Sequence, residues 1–264
     1  MEELKRNVLV HRVVTMGFPT ASTLVVTATR AFVVDTLTRP QDMEPVLEAL
    51  TELAPGRRRV IVSTHHHWDH VYGNAAFATQ DIVAHRTCPR LMELQARAWS
   101  ETTPAPPPEG VPQPTVTFGD RLTYVGEDES VSLVHTPGHS EDSVVVYLDA
   151  ARVLLAGDIL EWPLPTFAQR DAQPTWVKTL RQLKQLPAEV IVPAHGPAMG
   201  KELIDANERY ISGVYAAVAE QKKRGVSRDA VDVPAAGVLS PGVELDAVYA
   251  AAHQENLEWA YDEL

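Results

Sequence analysis

The spacing of apolar positions along this chain switches repeatedly between a period of two and a period near 3.6. Residues 7–14, 23–27, 31–34 and 59–63 are rich in β-branched side chains and predict strands, the last two short and buried. Between them Met43, Val46, Leu47 and Leu50 fall at helical spacing, which predicts a helix over 42–53 with Asp42 as N-cap and Pro55-Gly56 as its end. A short helix at 73–78, a strand at 82–84 and a helix at 90–99 follow. Periodicity then stops at 100–114, SETTPAPPPEGVPQP, whose six prolines predict an extended surface loop. Loops this long without regular structure are uncommon unless they serve a function, so the segment is a candidate lid. Strands resume at 121–125, 131–134, 143–148 and 152–155, then a helix at 175–185 and a strand at 190–192. The tail predicts two helices, 201–224 and 246–264. The pattern is α/β, with one large unit over 1–200 and a short C-terminal helical extension over 201–264.

Composition narrows what this frame can do. A net charge of −12 argues against a surface that tracks nucleic-acid phosphates, which needs a basic face. Small-molecule partners are favoured. The N-terminal MEELKRNVLVHRVV lacks the charged and apolar regions of a signal peptide, and no stretch approaches the length of a membrane span, so a cytoplasmic protein is expected. Cys88 is the only cysteine, which rules out an intrachain disulfide and a thiolate zinc knuckle. A metal here must be held by histidine and carboxylate.

The chain supplies them densely. Residues 64–70 read THHHWDH, four histidines and an aspartate directly after the strand VIVS. Extended backbone alternates its side chains, so His65 and His67 face one way and His66 the other, while Asp69 and His70 follow after a turn and can face a second ion. Further donors should lie in turns just after strands. His139 in TPGHSED, Asp158 in LLAGDIL and His195 in VPAHGP all do. Taken singly each is an ordinary loop residue; together with the cluster they suffice for two catalytic ions with open positions.

The set His65-x-His67-x-Asp69-His70, then His139, Asp158 and His195 in that order, resembles the metallo-β-lactamase superfamily of metallohydrolases over about residues 8–197. Asp35, closing the strand AFVVD, matches the family's first motif, an aspartate that supports the histidine loop. The resemblance implies an αββα four-layer sandwich with metals at one edge of two facing sheets. It implies one ion on His65, His67 and His139, a second on Asp69, His70 and His195, and Asp158 bridging them. Two such ions lower the pKa of a shared water from about 15.7 toward neutrality. The resemblance thus implies a hydroxide that would attack an acyl carbon, with Asp69 to orient it and shuttle its proton. Zinc is the first expectation for this donor set, with iron or manganese also suited.

Substrate choice rests on fewer residues. THHHWDH is similar to the histidine loop of hydroxyacylglutathione hydrolases, the glyoxalase II group, whereas GHSEDSVVVYL departs from theirs and looks more like the corresponding stretch of β-lactamases. The general expectation is a small-molecule thioester, ester or lactone. The alternatives are β-lactam hydrolysis and a mononuclear-iron persulfide dioxygenase; an RNA-processing nuclease is disfavoured by charge. Trp68, beside the ligands, and Trp162, Leu164 and Phe167, after the bridging aspartate, are the candidate pocket wall.

Overall fold

The strand and helix periods resolve into two facing sheets with helices outside, seen in a computed structural model that describes residues 1–102 and 110–264. The first sheet runs in chain order: β1 (Glu2–Lys5), β2 (Val8–Thr15), β3 (Phe18–Val26), β4 (Arg30–Val34), β5 (Arg58–Val62), β6 (Asp81–His85) and β7 (Val116–Phe118). Strands β1 to β4 pair antiparallel, and β4 to β7 pair parallel. The second sheet has the order β12 (Val190–Pro193), β11 (Val153–Gly157), β10 (Val144–Leu148), β9 (Val131–His135), β8 (Arg121–Tyr124).

Alternation decides which side chains meet between the sheets. Phe32 and Val34 of β4, Val60 and Val62 of β5, Val144 and Val146 of β10, and Val153 and Leu155 of β11 share the inter-sheet core. Their neighbours point outward and are buried too, which is why these strands are continuously apolar. Val33 and Ile61 pack under α1 (Glu44–Leu53), and Val145, Leu154 and Ala156 pack under α4 (Gln173–Leu183) and α5 (Glu202–Lys223). The remaining helices are α2 (Trp68–Val71), α3 (Cys88–Thr102) and α6 (Ala247–Glu263). Helix, sheet, sheet, helix gives the expected four layers, and the C-terminal helices are present.

Several local expectations are revised. Asp42 caps no helix: it lies in a 3-10 turn, Pro40–Met43, and pairs with Arg39. Strand β3 begins at Phe18 rather than 23, because Pro19 sits where the strand needs no N–H and the small residues from Thr20 to Thr23 are all buried. Helix α3 runs to Thr102, into the stretch expected as loop, and residues 103–109, most of the candidate lid, lie outside the described residues. The end of that stretch is anchored, with Val111 packed near Cys88 and Met92 and the Pro112 carbonyl accepting from Asn74 Nδ2 at 3.0 Å. No helix among the described residues is long and apolar enough to cross a membrane.

Candidate metal centre

The C-terminal ends of β4, β5, β11 and β12 open on one edge of the sandwich, and the turn after β9 folds onto the same edge. Backbone bonds stitch the sheets there, with Val144 N donating to Thr64 O at 2.8 Å and Ala21 N to Ala194 O at 2.9 Å, and Ala194 N to Gly157 O at 3.0 Å ties the ends of β12 and β11. A rigid rim of this kind fixes loop side chains well. Gly157 takes a positive φ of 52°, and a Cβ there would lie 2.8 Å from Thr64 Oγ1, so glycine permits the approach of the Asp158 and His65 loops.

Asp35, itself at φ 62°, organises the histidine loop. Its Oδ1 accepts from Thr64 N at 2.7 Å, and its Oδ2 accepts from Thr64 Oγ1 at 2.8 Å and from His70 Nδ1 at 2.9 Å. A left-handed aspartate is strained, and strain held this firmly marks a functional region. The His65 Nδ1 lies 3.1 Å from Thr64 Oγ1, His139 Nδ1 donates to Thr166 O at 3.0 Å, and His195 Nδ1 donates to Pro19 O at 2.9 Å. With their Nδ1 atoms engaged, these four rings turn Nε2 toward a common point.

That point is Asp158. Its Oδ2 lies 3.4 Å from His65 Nε2, 3.3 Å from His70 Nε2, 3.4 Å from His139 Nε2 and 3.4 Å from His195 Nε2. These separations exceed good hydrogen bonds, but they match the roughly 3.3–3.6 Å between atoms that each sit about 2.0–2.2 Å from a shared tetrahedral ion. His65 Nε2, His70 Nε2 and Asp158 Oδ1 are buried without a hydrogen-bond partner. Two donor groups result, His65, His67, His139 and Asp158 in one and Asp69, His70 and His195 in the other, each with its ligand atoms within 4.8 Å of one another. Oxygen and nitrogen donors in this number fit divalent cations.

The electrostatics agree. Burial resists charge on Asp158, yet His70, His195 and His65 hold its carboxyl well below the usual range. Burial drives His139 down to about 3 and, with His65 and His139 beside it, drives His67 well below the ordinary imidazole value. His195, despite burial, is raised to about 10, chiefly by Asp158. The site thus mixes ready lone pairs with imidazoles that hold protons only because anions surround them, protons a cation would displace.

All seven sequence-derived donors converge, with Asp35 behind them. His66 points away, its Nδ1 bonding to Asp142 Oδ1 at 2.8 Å. The pocket wall is partly corrected. A cavity of about 180 Å³ over the site is lined by Trp68 and Phe167, with Phe18, Thr15, Thr166, Ala168 and Glu161, but not by Trp162 or Leu164. Leu164 is buried in the core of the C-terminal helices, since its apolar side chain faces Tyr210 and Val214. Trp162 packs on the helix side of the second sheet, its Cβ 2.8 Å from where a Cβ on Gly196 would stand. Phe18 and Glu161 escaped the sequence reading. Phe18 sits in a hairpin with no local motif, and Glu161 carried only its place three residues after Asp158. Burial and the nearby Asp158 raise Glu161 to about 8, and its Oε1 accepts from Thr166 N and Oγ1, both at 2.9 Å.

Comparison with known proteins agrees with this geometry. The sequence profile described as the metallo-beta-lactamase superfamily matches residues 15–195. The chain belongs to that superfamily of metal-dependent hydrolases. It is 28% identical over 195 residues to a hydroxyacylglutathione hydrolase of Thermosynechococcus vestitus, covering 70% of this chain and 69% of that one. It is 30% identical over 122 residues to a linear primary-alkylsulfatase of a Pseudomonas species, but these span 44% of this chain and only 23% of that protein. A metallo-beta-lactamase from Pontibacter korlensis shares the fold, with a TM-score of 0.59, 22% identity, and coverage of 77% of this chain and 94% of that one.

Proposed function

We propose that this protein hydrolyses a small-molecule thioester, ester or lactone with two divalent metal ions, zinc first among them. The ring of four histidine Nε2 atoms around Asp158 Oδ2 carries the reading. His65, His67 and His139 would hold one ion, Asp69, His70 and His195 the other, and Asp158 would serve both. When bound, such ions make water a nucleophile at neutral pH and neutralise developing oxyanion charge.

The chain's own residues supply the rest. Asp69 lines the cavity, and its Oδ2 accepts from Thr20 Oγ1 at 3.2 Å, which holds the carboxylate at the cavity wall, where it would orient the attacking water. There it takes the proton released on attack and returns it to the departing sulfur or oxygen. Phe18, Trp68 and Phe167 seat the apolar part of the substrate and exclude bulk water. The similarity to a hydroxyacylglutathione hydrolase over most of both chains supports a thioester.

The test is metal analysis of purified protein, then turnover of thioester, lactone and cephalosporin reporters before and after chelation. About two metals per chain and chelator-sensitive thioester or lactone hydrolysis are expected. One iron per chain with oxygen consumption on a persulfide would overturn the reading.

A further inference from the structure

Three of the four converging rings find their Nδ1 partners within the sandwich: Thr64 for His65, Asp35 for His70 and Pro19 O for His195. The fourth does not. His139 leans on Thr166 O, in a loop after β11 that is bonded to the C-terminal helix pair.

Asn256 of α6 provides that support. It is buried at 2% exposure, and both ends of its amide are engaged. Its Oδ1 accepts from Phe167 N at 2.8 Å, while its Nδ2 donates to Pro165 O at 2.8 Å and to the Tyr210 hydroxyl at 3.0 Å. The side chain therefore grips the peptides on either side of Thr166, and Glu161 Oε1 holds Thr166 itself from its N–H and hydroxyl. The amide orientation is determined by the chain of donors beyond it. His253 Nε2 must donate to Val233 O at 2.8 Å, so its Nδ1 accepts from Tyr210 at 2.7 Å, and the tyrosine oxygen is left to accept from Asn256. A flipped amide would set oxygen against the Pro165 carbonyl.

We infer that Asn256 is a positioning residue for His139: it fixes residues 165–167 so that Thr166 O holds His139 by Nδ1 with Nε2 turned toward Asp158. The inference rests on the proposed role of His139 as a metal ligand. Outer partners of ligating histidines set ring orientation and basicity, and their loss typically loosens metal by about 10–100-fold. It gives the C-terminal extension a role in the chemistry although it contributes none of the seven donors.

The experiment compares the parent with Asn256→Ala, Asn256→Asp and a packing control, Val218→Ala, which opens a gap in the same helical core and removes no hydrogen bond to the loop. Zn2+ affinity is measured by chelator competition, the Co2+-substituted absorption spectrum reports ligand geometry, and metal-free melting temperature reports stability. Asn256→Ala should loosen one ion by about 10–100-fold and alter the cobalt spectrum. Val218→Ala should lower the melting temperature yet bind metal within twofold of the parent, a difference no general loss of stability produces. Should Asn256→Ala fail to fold, the isosteric Asn256→Asp carries the test: it keeps the acceptor for Phe167 N, opposes Pro165 O, and should show a smaller loss in the same direction. Parent-like affinity and spectrum in the Asn256 variants, or equal loosening by Val218→Ala, would overturn the inference alone. A parent that binds no metal would overturn the metal reading and this proposal with it.

Discussion

Neighbouring histidines in THHHWDH have opposite fates because extended backbone sends alternate side chains to opposite sides. His67 lines the cavity, while His66 is bonded to Asp142, a fully buried carboxylate held down to about 2, against its burial, chiefly by that bond. Alanine substitutions should separate them in two measurements at once. His67→Ala removes a direct donor and should lose most of one metal equivalent and several orders of magnitude in turnover. His66→Ala should keep its metal, with turnover falling by no more than about 10–100-fold, but should melt earlier because buried Asp142 loses its imidazole partner and keeps the Ser140 hydroxyl. Metal depletion in His66→Ala equal to that in His67→Ala would show that the alternation does not assign the ligands. The donors were legible because metal chemistry restricts residue type and spacing together. Glu161 and Asn256 were not, since a carboxylate or amide that acts through a loop leaves no mark until the loop's hydrogen bonds are seen.

Elements were legible where burial is one-sided or complete, as in α1, β4, β5, β10 and β11. They were missed where pairing does what composition does not: β1 is short and charged, and β7 exists because Val116 to Phe118 complete the edge beside β6. The sheets also meet in a contact no periodicity foretells. His85 at the end of β6 stacks on His135 at the end of β9, ring centroids 3.8 Å apart and 6° from parallel. Burial, then His135, lowers His85 to about 4, with Arg86 acting the same way and Asp142 and Asp120 opposing. The folded value lies below the unfolded one near 6.5, so between about 6.5 and 4 the unfolded chain binds a proton that the folded one refuses. The stabilisation from neutral His85 is therefore complete above pH 6.5 and lost as pH falls toward 4. His85→Gln should melt below the parent at pH 7.5, and that gap should narrow at pH 5. A gap of constant size across this range would mean that His85 titrates normally.

At the scale of the whole molecule, the division between residues 1–200 and the extension becomes a question of energy. Leu203, Ile204 and Ile211 of α5 belong to the core that covers the second sheet, beside Ile159 and Trp176. Leu164 in turn sits with Tyr210, Val214 and Leu257 in the core of the C-terminal helices, and Phe18 packs edge-on against Tyr249 at 5.2 Å. The two segments therefore share cores. Each fully buried side chain of this size contributes about 1.5–3 kcal/mol, so exposing a handful removes an amount comparable to the stability of a typical domain, about 5–15 kcal/mol. We expect the full chain to unfold in one calorimetric transition. A chain ending at Gly200 should aggregate or bind an apolar dye strongly, because the apolar surface of the second sheet and α4 that α5 covers, and the underside of the loop at 161–171, would be bare. The loop's hold on His139 would go with them. Scanning calorimetry of the full chain and solubility of the shortened one decide the matter: two separated transitions, or a monomeric 1–200 fragment melting near the parent and carrying its metal, would show that the extension is an independent unit and that the site is complete without it.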